Sequence, residues 1–277
     1  MEKPCYSFSR LSTFKDCEMA YFLTYILKAE NKDNIYGLAG SAAHHVIEEM
    51  QHGNMTNDEA VMYFNREVEA AVFIGINFPN DSIKESYMTN VTHAIKHYRP
   101  YQGKFEIERK FDLEIEGVRL IGYIDFIVYN EDGTVSIIDF KTSSKYSKKD
   151  LPSKANQLII YAIAMEQMGY TVRDISWQML KYATIPGKRG TKTVERRDID
   201  SDEFEAFYVY YPYNEFTKMD CISWITSTVK KIEDKGPFDL WESKVLDSQY
   251  SGFFCHNLCG VKGNCSKYKE FCKKYYD

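Results

Sequence analysis

Several features that would place the chain in a special class of proteins are missing from its sequence. No apolar run approaches the ~18 residues that a membrane-spanning helix needs. The first ten residues, MEKPCYSFSR, lack the apolar core of a secretion signal. We therefore expect a cytoplasmic protein that does not associate with a membrane. No internal repeat or low-complexity linker interrupts the 277 residues, so a single domain is expected.

Two further absences narrow the function. The sequence contains no Gly-x-x-x-x-Gly-Lys-[Ser/Thr] motif, which excludes a P-loop motor within this chain. Its net charge of -5 argues against indiscriminate binding of nucleic acid over the whole surface. A local basic channel is still compatible with that charge, because the field near a cleft is set by nearby groups.

The most informative stretch is residues 121–142, in which two β-rich runs flank an Asp-Gly turn signal. Asp125 lies in the first run and Asp139 in the second, among residues typical of buried strands. Lys141 shares a strand face with Asp139, because side chains alternate with a period of two. Two buried carboxylates repel each other, and a divalent cation would relieve that repulsion. This chemistry suits phosphodiester hydrolysis.

Periodicity and turn signals predict the remaining elements. A helical part spans residues 1–102, an α/β core spans 103–200, and a helical, cysteine-rich part spans 201–277. The expected helices are 7–29, 36–52, 57–75, 81–99, 153–169 and 201–235, and the expected strands are 104–115, 117–129, 134–141 and 171–185. The basic segment from Pro186 to Ile199 is expected to be either a solvated loop or a hairpin that contacts a nucleic-acid strand.

Four of the seven cysteines crowd the C-terminus, at positions 255, 259, 265 and 272. In a cytosolic chain such a cluster favours metal or redox chemistry over disulfides. Cys17, taken alone, is as well explained as a small buried hydrophobe. His44 and Glu48 share a helix face, but an isolated histidine is more often structural than a ligand.

Four motifs follow one another in a fixed order, each on the expected kind of element. They are Gly40-x-x-x-His44-x-x-Ile47-Glu48, Gly122-x-x-Asp125, Asp139-x-Lys141 and Gln157-x-x-x-Tyr161. This order resembles the RecB-like exonuclease branch of the PD-(D/E)XK nuclease superfamily. The resemblance implies a restriction-endonuclease-like α/β core with a mixed central β-sheet flanked by helices. It also implies a metal-dependent DNA nuclease.

The resemblance implies a metal site as well. His44, Asp125, Asp139 and the backbone carbonyl of Phe140 would hold Mg²⁺ or Mn²⁺, for which oxygen ligands and an imidazole are suitable. Glu108 is a weaker candidate for a second metal or a supporting role.

The same resemblance assigns catalytic roles to five residues. Asp125 and Asp139 take part through the metal. Lys141 would orient or deprotonate the attacking water, or stabilise the transition state. Gln157 and Tyr161 resemble the helix motif that positions the metal site and the DNA backbone.

The cysteines resemble those of a subclass of RecB-like nucleases that carry an iron–sulfur cluster. Cys17-Glu18-Met19-Ala20-Tyr21 is similar to an N-terminal Cys-Pro-x-x-Tyr motif, and Cys255-x₃-Cys259-x₅-Cys265 resembles a three-cysteine cluster segment. The resemblance implies a 4Fe-4S cluster that staples the chain beneath a C-terminal iron–sulfur lid. The spacing in this subclass is usually Cys-x₂-Cys, so Cys272 is an alternative ligand, and zinc is an alternative occupant.

The expected function is an exonuclease that acts on single-stranded DNA or on ends of double-stranded DNA in recombination, repair or phage DNA metabolism. If a phage encodes it, the host cytoplasm is its compartment. A CRISPR-adaptation nuclease that trims spacer precursors is one alternative, and a catalytically inactive DNA-binding subunit is another. A recombination or CRISPR-adaptation protein would then be a partner.

Overall fold

The computed structural model describes residues 4–143, 146, 151–188, 190–199, 204–244, 246 and 252–275. The chain forms two compact units. The larger comprises Ile35–Leu113 and Gly122–Cys221, and the smaller comprises Met1–Asn34, Glu114–Ile121 and Ile222–Asp277. The smaller unit is therefore assembled from three separate segments of the chain.

The larger unit begins with three helices, α3 (Ile35–Gln51), α4 (Asn57–Phe73) and α5 (Asp81–Lys96). Thr56 and Glu59 form a reciprocal capping box at the start of α4. The Asn80 side chain accepts the Ile83 amide at the start of α5. These helices agree with the predicted ranges to within a few residues.

A mixed β-sheet forms the centre of this unit and confirms the predicted α/β class. Its strands are β1 (Cys5–Tyr6), β2 (Lys104–Ile115), β3 (Val118–Tyr129), β4 (Thr134–Lys141), β5 (Thr171–Met179) and β8 (Tyr208–Tyr211). β3 and β4 are antiparallel, whereas β4 and β5 are parallel and are linked through helix α6 (Leu151–Gln167). A parallel pair requires such a crossover. β2 pairs with β3, and β8 runs antiparallel to β5.

Side-chain alternation divides the strands between two faces. Phe126, Val128 and Phe140 pack into the hydrophobic core formed with α3, α4 and α5. Because neighbouring side chains point to opposite faces of a strand, Asp125 and Asp139 point away from that core. The two acids therefore share the other face of the sheet.

The prediction of one strand over residues 171–185 was wrong. β5 ends at Met179, and a separate two-stranded hairpin follows, with β6 at Tyr182–Gly187 and β7 at Gly190–Glu195. The basic segment after residue 186 thus belongs to an ordered hairpin.

The prediction of one long helix over residues 201–235 was also wrong. Tyr208–Tyr211 is a strand, and the helix α7 spans only Glu215–Glu233. Aromatic and β-branched residues suit an edge strand beside β5. Pro212 follows at once, and the Asn214 side chain then accepts the amides of Phe216 and Thr217 at the start of the helix.

In the smaller unit, β1 (Cys5–Tyr6) pairs in parallel with the beginning of β3. The predicted helix 7–29 is broken at Cys17, which has an extended backbone between α1 (Phe8–Asp16) and α2 (Glu18–Tyr21). A π-helical turn, Phe22–Ile26, follows. The Cys17 sulfur accepts the Lys244 amide at 3.4 Å, and this tertiary contact overrides the helical periodicity.

The C-terminal part of the smaller unit contains the short helix α8 (Phe253–Asn257) and α9 (Ser266–Tyr275). Trp241 is buried and stacks on Tyr21 and Phe22. Across the described ranges, no helix has the length and apolar character required to cross a membrane.

Candidate metal centre and active site

Lys141 and Asp139, at the end of β4, form an ion pair in which the lysine is half-buried. The ammonium lies 2.9 Å from Oδ1 and 2.7 Å from Oδ2 of Asp139, whose side chain is fully buried. Burial opposes the charged form of Lys141, but the carboxylates of Asp139 and Asp125 outweigh this effect and raise its pKa. Lys141 therefore carries its positive charge at neutral pH.

Asp125, on β3, is the second acid of the site and is half-buried. Its pKa lies well above the usual range, first because the carboxyl is buried and second because Asp139 repels its charged form. Its Oδ2 has no hydrogen-bond partner among the described residues. A buried carboxylate oxygen left in this state is costly unless a cation or proton approaches it.

The imidazole of His44, on α3, lies beside both strands. Nε2 donates to the carbonyl oxygen of Phe140 at 2.9 Å, and Nδ1 lies 3.7 Å from Oδ2 of Asp125. Burial lowers the pKa of His44 despite the opposing effect of Asp139. The imidazole is therefore neutral at neutral pH, which is the form that binds a metal.

Glu108, on β2, joins this group. Ligand atoms of His44, Glu108 and Asp125 all lie within 4.8 Å of one another. Glu108 has a φ of 52°, a left-handed conformation that costs of order 1 kcal/mol for a residue other than glycine. Glu108 is an exposed residue, and no sequence signal reveals a left-handed backbone at a glutamate.

The strand changes its packing on either side of Glu108. Phe105 stacks on Phe126, in the core with α3, with ring centroids 5.6 Å apart. Phe111 instead contacts Tyr161 of α6 at 5.8 Å. Residues 105 and 111 would share one face of a regular strand, so the irregular backbone at Glu108 accounts for the change.

Gln157 and Tyr161, four residues apart on α6, are joined by a hydrogen bond. The Gln157 amide donates to the Tyr161 hydroxyl at 2.7 Å. Burial and then the charges of Asp125 and Asp139 raise the pKa of Tyr161. The phenol therefore stays protonated and lies within electrostatic reach of both acids.

The donor set suits a hard divalent cation. Because Nε2 donates its proton to the Phe140 carbonyl, Nδ1 is the nitrogen of His44 left to bind a cation, and it lies 3.7 Å from Oδ2 of Asp125. The unpartnered oxygen of Asp125 adds an anionic ligand at the same place. Carboxylate, carbonyl and imidazole ligands fit Mg²⁺ or Mn²⁺.

The two motif glycines differ in their surroundings. A Cβ on Gly122 would lie 2.7 Å from the Phe111 ring, too close for any side chain. A Cβ on Gly40 would meet only the Thr142 hydroxyl, at an ordinary 3.5 Å. Packing therefore requires glycine at position 122, whereas position 40 has room for a methyl group.

In the smaller unit, Cys17, Cys255, Cys259 and Cys265 line one pocket. All four are free thiols, and Cys272 does not line this pocket. Burial, followed by the neighbouring cysteines, raises the pKa of Cys255 to about 11. Burial likewise raises the pKa of Cys259. A bound cation would be needed to hold these sulfurs as thiolates.

The spacing of the sulfurs bears on what could occupy the pocket. A tetrahedral zinc site places its sulfurs about 3.8 Å apart. In the described part of the chain, no three of these sulfurs lie within 4.8 Å of one another. The arrangement is therefore wider than a preformed zinc site.

Contacts with the N-terminal segment hold the cysteine segment in place. The Gly260 carbonyl accepts the Lys32 amide at 3.0 Å, and the Leu258 carbonyl accepts the Asn34 side chain at 3.3 Å. A Cβ on Gly260 would clash with Asn31 and Lys32. Close packing thus brings the late cysteines beside Cys17.

The known proteins that resemble the chain are distant from it in sequence. No curated protein matched the chain. Similar solved structures include SSO0001, with 12% identity, a TM-score of 0.38 and coverage of 97% of this chain and 88% of that one. Another is a protein named "Putative exonuclease" from Eubacterium rectale, with 13% identity, a TM-score of 0.49 and coverage of 87% and 85%.

The family comparison matches nearly the whole chain. The model for the PD-(D/E)XK nuclease superfamily matches residues 6–266. This range contains all the candidate metal and catalytic residues described above. The chain therefore belongs to the PD-(D/E)XK nuclease superfamily.

Proposed function

We propose that this nuclease is a metal-dependent deoxyribonuclease that digests DNA from its ends as an exonuclease. One observation carries the proposal. His44, Asp125 and the Phe140 carbonyl converge beside the Asp139–Lys141 ion pair on two neighbouring strands.

His44, Asp125, Asp139 and the Phe140 carbonyl would hold Mg²⁺ or Mn²⁺, and Glu108 would complete the site or hold a second ion. A divalent cation bound there acidifies a water molecule and offsets charge on the phosphate. These ligands would not need to move during the reaction, because the helix and the strands already hold them in position.

Lys141 would act as a fixed positive charge. Its raised pKa opposes loss of the proton, so it is poorly suited to deprotonate water. An ammonium held by Asp139 can instead orient the nucleophile and stabilise negative charge on the phosphate. The Gln157–Tyr161 pair would position the DNA backbone beside the acids.

For the smaller unit we propose a 4Fe-4S cluster held by Cys17, Cys255, Cys259 and Cys265. Support comes from four free thiols around one pocket, two of them buried and two half-buried, with a spacing wider than zinc requires. Such a cluster would act as a structural staple between distant parts of the sequence. Zinc is the less favoured occupant.

Recombination, repair, phage DNA metabolism and CRISPR adaptation all use this chemistry, so the pathway stays a prediction. An inactive DNA-binding subunit is the competing proposal. Each expected metal-ligand position carries a suitable residue, and Oδ2 of Asp125 has no hydrogen-bond partner among the residues that the structure describes. Both observations favour an active enzyme over an inactive DNA-binding subunit.

The test uses single- and double-stranded DNA labelled at one end, incubated with Mg²⁺ or Mn²⁺. The expected result is stepwise shortening by the wild type and no shortening by Lys141→Ala. Internal fragments would contradict the exonuclease assignment. Equal inertness of both proteins with both metals would favour the DNA-binding subunit.

A further inference from the structure

The basic hairpin β6–β7 starts at the edge of the candidate active site. β5 pairs with β4 up to Met179, which is the register partner of Lys141. The next amide, that of Leu180, donates to the Lys141 carbonyl at 2.8 Å. The first strand of the hairpin begins two residues later, at Tyr182.

A buried arginine fixes the base of the hairpin. The Arg196 amide donates to the Lys181 carbonyl at 2.9 Å, and its guanidinium donates to the Met179 carbonyl at 2.8 Å. The guanidinium also lies 3.7 Å from the centre of the Phe207 ring. Arg196 is 4% exposed, so these contacts hold the base of the hairpin against β5.

Helix α5 supplies a second anchor. The Ser86 hydroxyl donates to Glu195 at 2.9 Å, and the Arg197 amide donates to the Asn90 side chain at 3.1 Å. The Arg197 guanidinium lies 2.7 Å from Glu195, so the acid at the base is paired. The hairpin is therefore preorganised at its base.

The distal half of the hairpin is positively charged. Lys188 and Lys192 are exposed. Residues 186–194 contain three basic residues and no acid, in a chain whose net charge is -5. The segment contains no aromatic residue on which a base could stack. These features suit phosphate contacts better than recognition of unpaired bases.

We propose that the β6–β7 hairpin binds duplex DNA, entering the major groove and contacting its phosphates a few base pairs from the bond that is cut. This rests on the proposed deoxyribonuclease function. A two-stranded β-ribbon is one of the few elements that fit the major groove. Six residues at ~3.3 Å each give a reach of roughly 20 Å, about six base pairs.

The test compares DNA binding by wild type and by the double variant Lys188→Ala/Lys192→Ala. The two DNA ligands are a duplex of about 20 base pairs, longer than the reach of the hairpin, and a single strand of the same length. Binding is measured by fluorescence anisotropy in EDTA, which removes divalent cations and so prevents cleavage. We expect the Kd for the duplex to rise several-fold. The negative slope of the logarithm of the association constant against log[salt] should become less steep by about 1.8, because each of two lost phosphate contacts contributes about 0.9. Single-strand binding should change little.

Lys230→Ala/Lys231→Ala is the matched control, because it removes the same charge from exposed positions on α7. Circular dichroism checks that each variant is folded. Equal loss on single strand and duplex would overturn the duplex assignment, and no loss on either would make the segment a solvated hairpin. Failure of the wild type to cleave DNA would refute the proposed function separately, because binding is measured without cleavage.

Discussion

His44 Nε2 and the carbonyl oxygen of Phe140 lie 2.9 Å apart, although the two residues are 96 positions apart in the chain. His44 belongs to helix α3, and Phe140 is the residue before Lys141 at the end of β4. This hydrogen bond places the imidazole proton on Nε2 and leaves Nδ1, 3.7 Å from Oδ2 of Asp125, free to bind a cation, so it connects the fold directly with the proposed chemistry.

Replacing His44 should therefore weaken metal binding. We expect His44→Ala to require roughly 10-fold more Mn²⁺ or Mg²⁺ for half-maximal activity, because one ligand is lost. Activity measured against metal concentration checks this. His45→Ala is the control, since His45 is exposed on the same helix. Indistinguishable metal dependence of the two variants would remove His44 from the site.

Asp125→Asn should stabilise the metal-free protein at neutral and higher pH. The pKa of Asp125 is raised in the folded protein, so the folded state binds the proton of this carboxyl more tightly than the unfolded state does. The resulting penalty is absent below the unfolded pKa and grows as pH rises through the folded pKa. In EDTA, the gain in Tm over wild type should be larger at about pH 8, well above the ordinary aspartic acid pKa of about 3.9, than at about pH 4, close to that pKa.

Metal should reverse this order. Mn²⁺ binds the folded state and should raise the Tm of wild type more than that of Asp125→Asn. A wild type with unchanged Tm in saturating metal would argue against a cation site at Asp125.

Glu108→Gln should reduce DNA cleavage by roughly 10-fold or more if this side chain is a metal ligand or holds one in place. The effect should be partly rescued by higher metal concentration. Glu131→Gln, in the exposed turn after β3, is the control. Equal activity of both variants would leave the left-handed Glu108 without a functional explanation.

The two motif glycines should respond oppositely to alanine. Gly122→Ala forces a methyl group against Phe111 and should cost about 1–3 kcal/mol of unfolding free energy. Gly40→Ala meets only an ordinary contact within a helix and should gain about 0.5–1 kcal/mol. Urea denaturation of both variants checks the contrast, and comparable losses would contradict it.

The cysteine pocket predicts which thiols matter. Cys265→Ser should lose iron and visible absorbance and lower the Tm, whereas Cys272→Ser should retain all three properties. Iron and zinc analysis of protein purified without oxygen checks this. Stoichiometric zinc in colourless protein would reassign the pocket, and loss of iron in Cys272→Ser would reassign the ligand.

Local patterns were sufficient to predict the sheet that carries the site. The alternation around Asp125 and Asp139 and the turn signals between the strands give β2, β3 and β4 close to their observed bounds. The faces of Asp139 and Lys141 follow from period two alone. These features depend on neighbours in sequence, which is why they can be predicted.

Features that depend on distant contacts were missed. Cys17 interrupts a helical pattern because its sulfur accepts the Lys244 amide from 227 residues away. The strand Tyr208–Tyr211 forms only because β5 offers a free edge. The left-handed Glu108 has no sequence signature at all. In each case tertiary structure outweighs local preference.

The three-segment make-up of the smaller unit has a consequence for synthesis on the ribosome. Residues 1–34 of the smaller unit emerge first, and the whole of the larger unit follows before residue 222 is made. The segment after Ile222 must leave the exit tunnel before the N-terminal residues meet their partners. Cofactor insertion into the cysteine pocket would therefore be a late event in the maturation of the newborn chain.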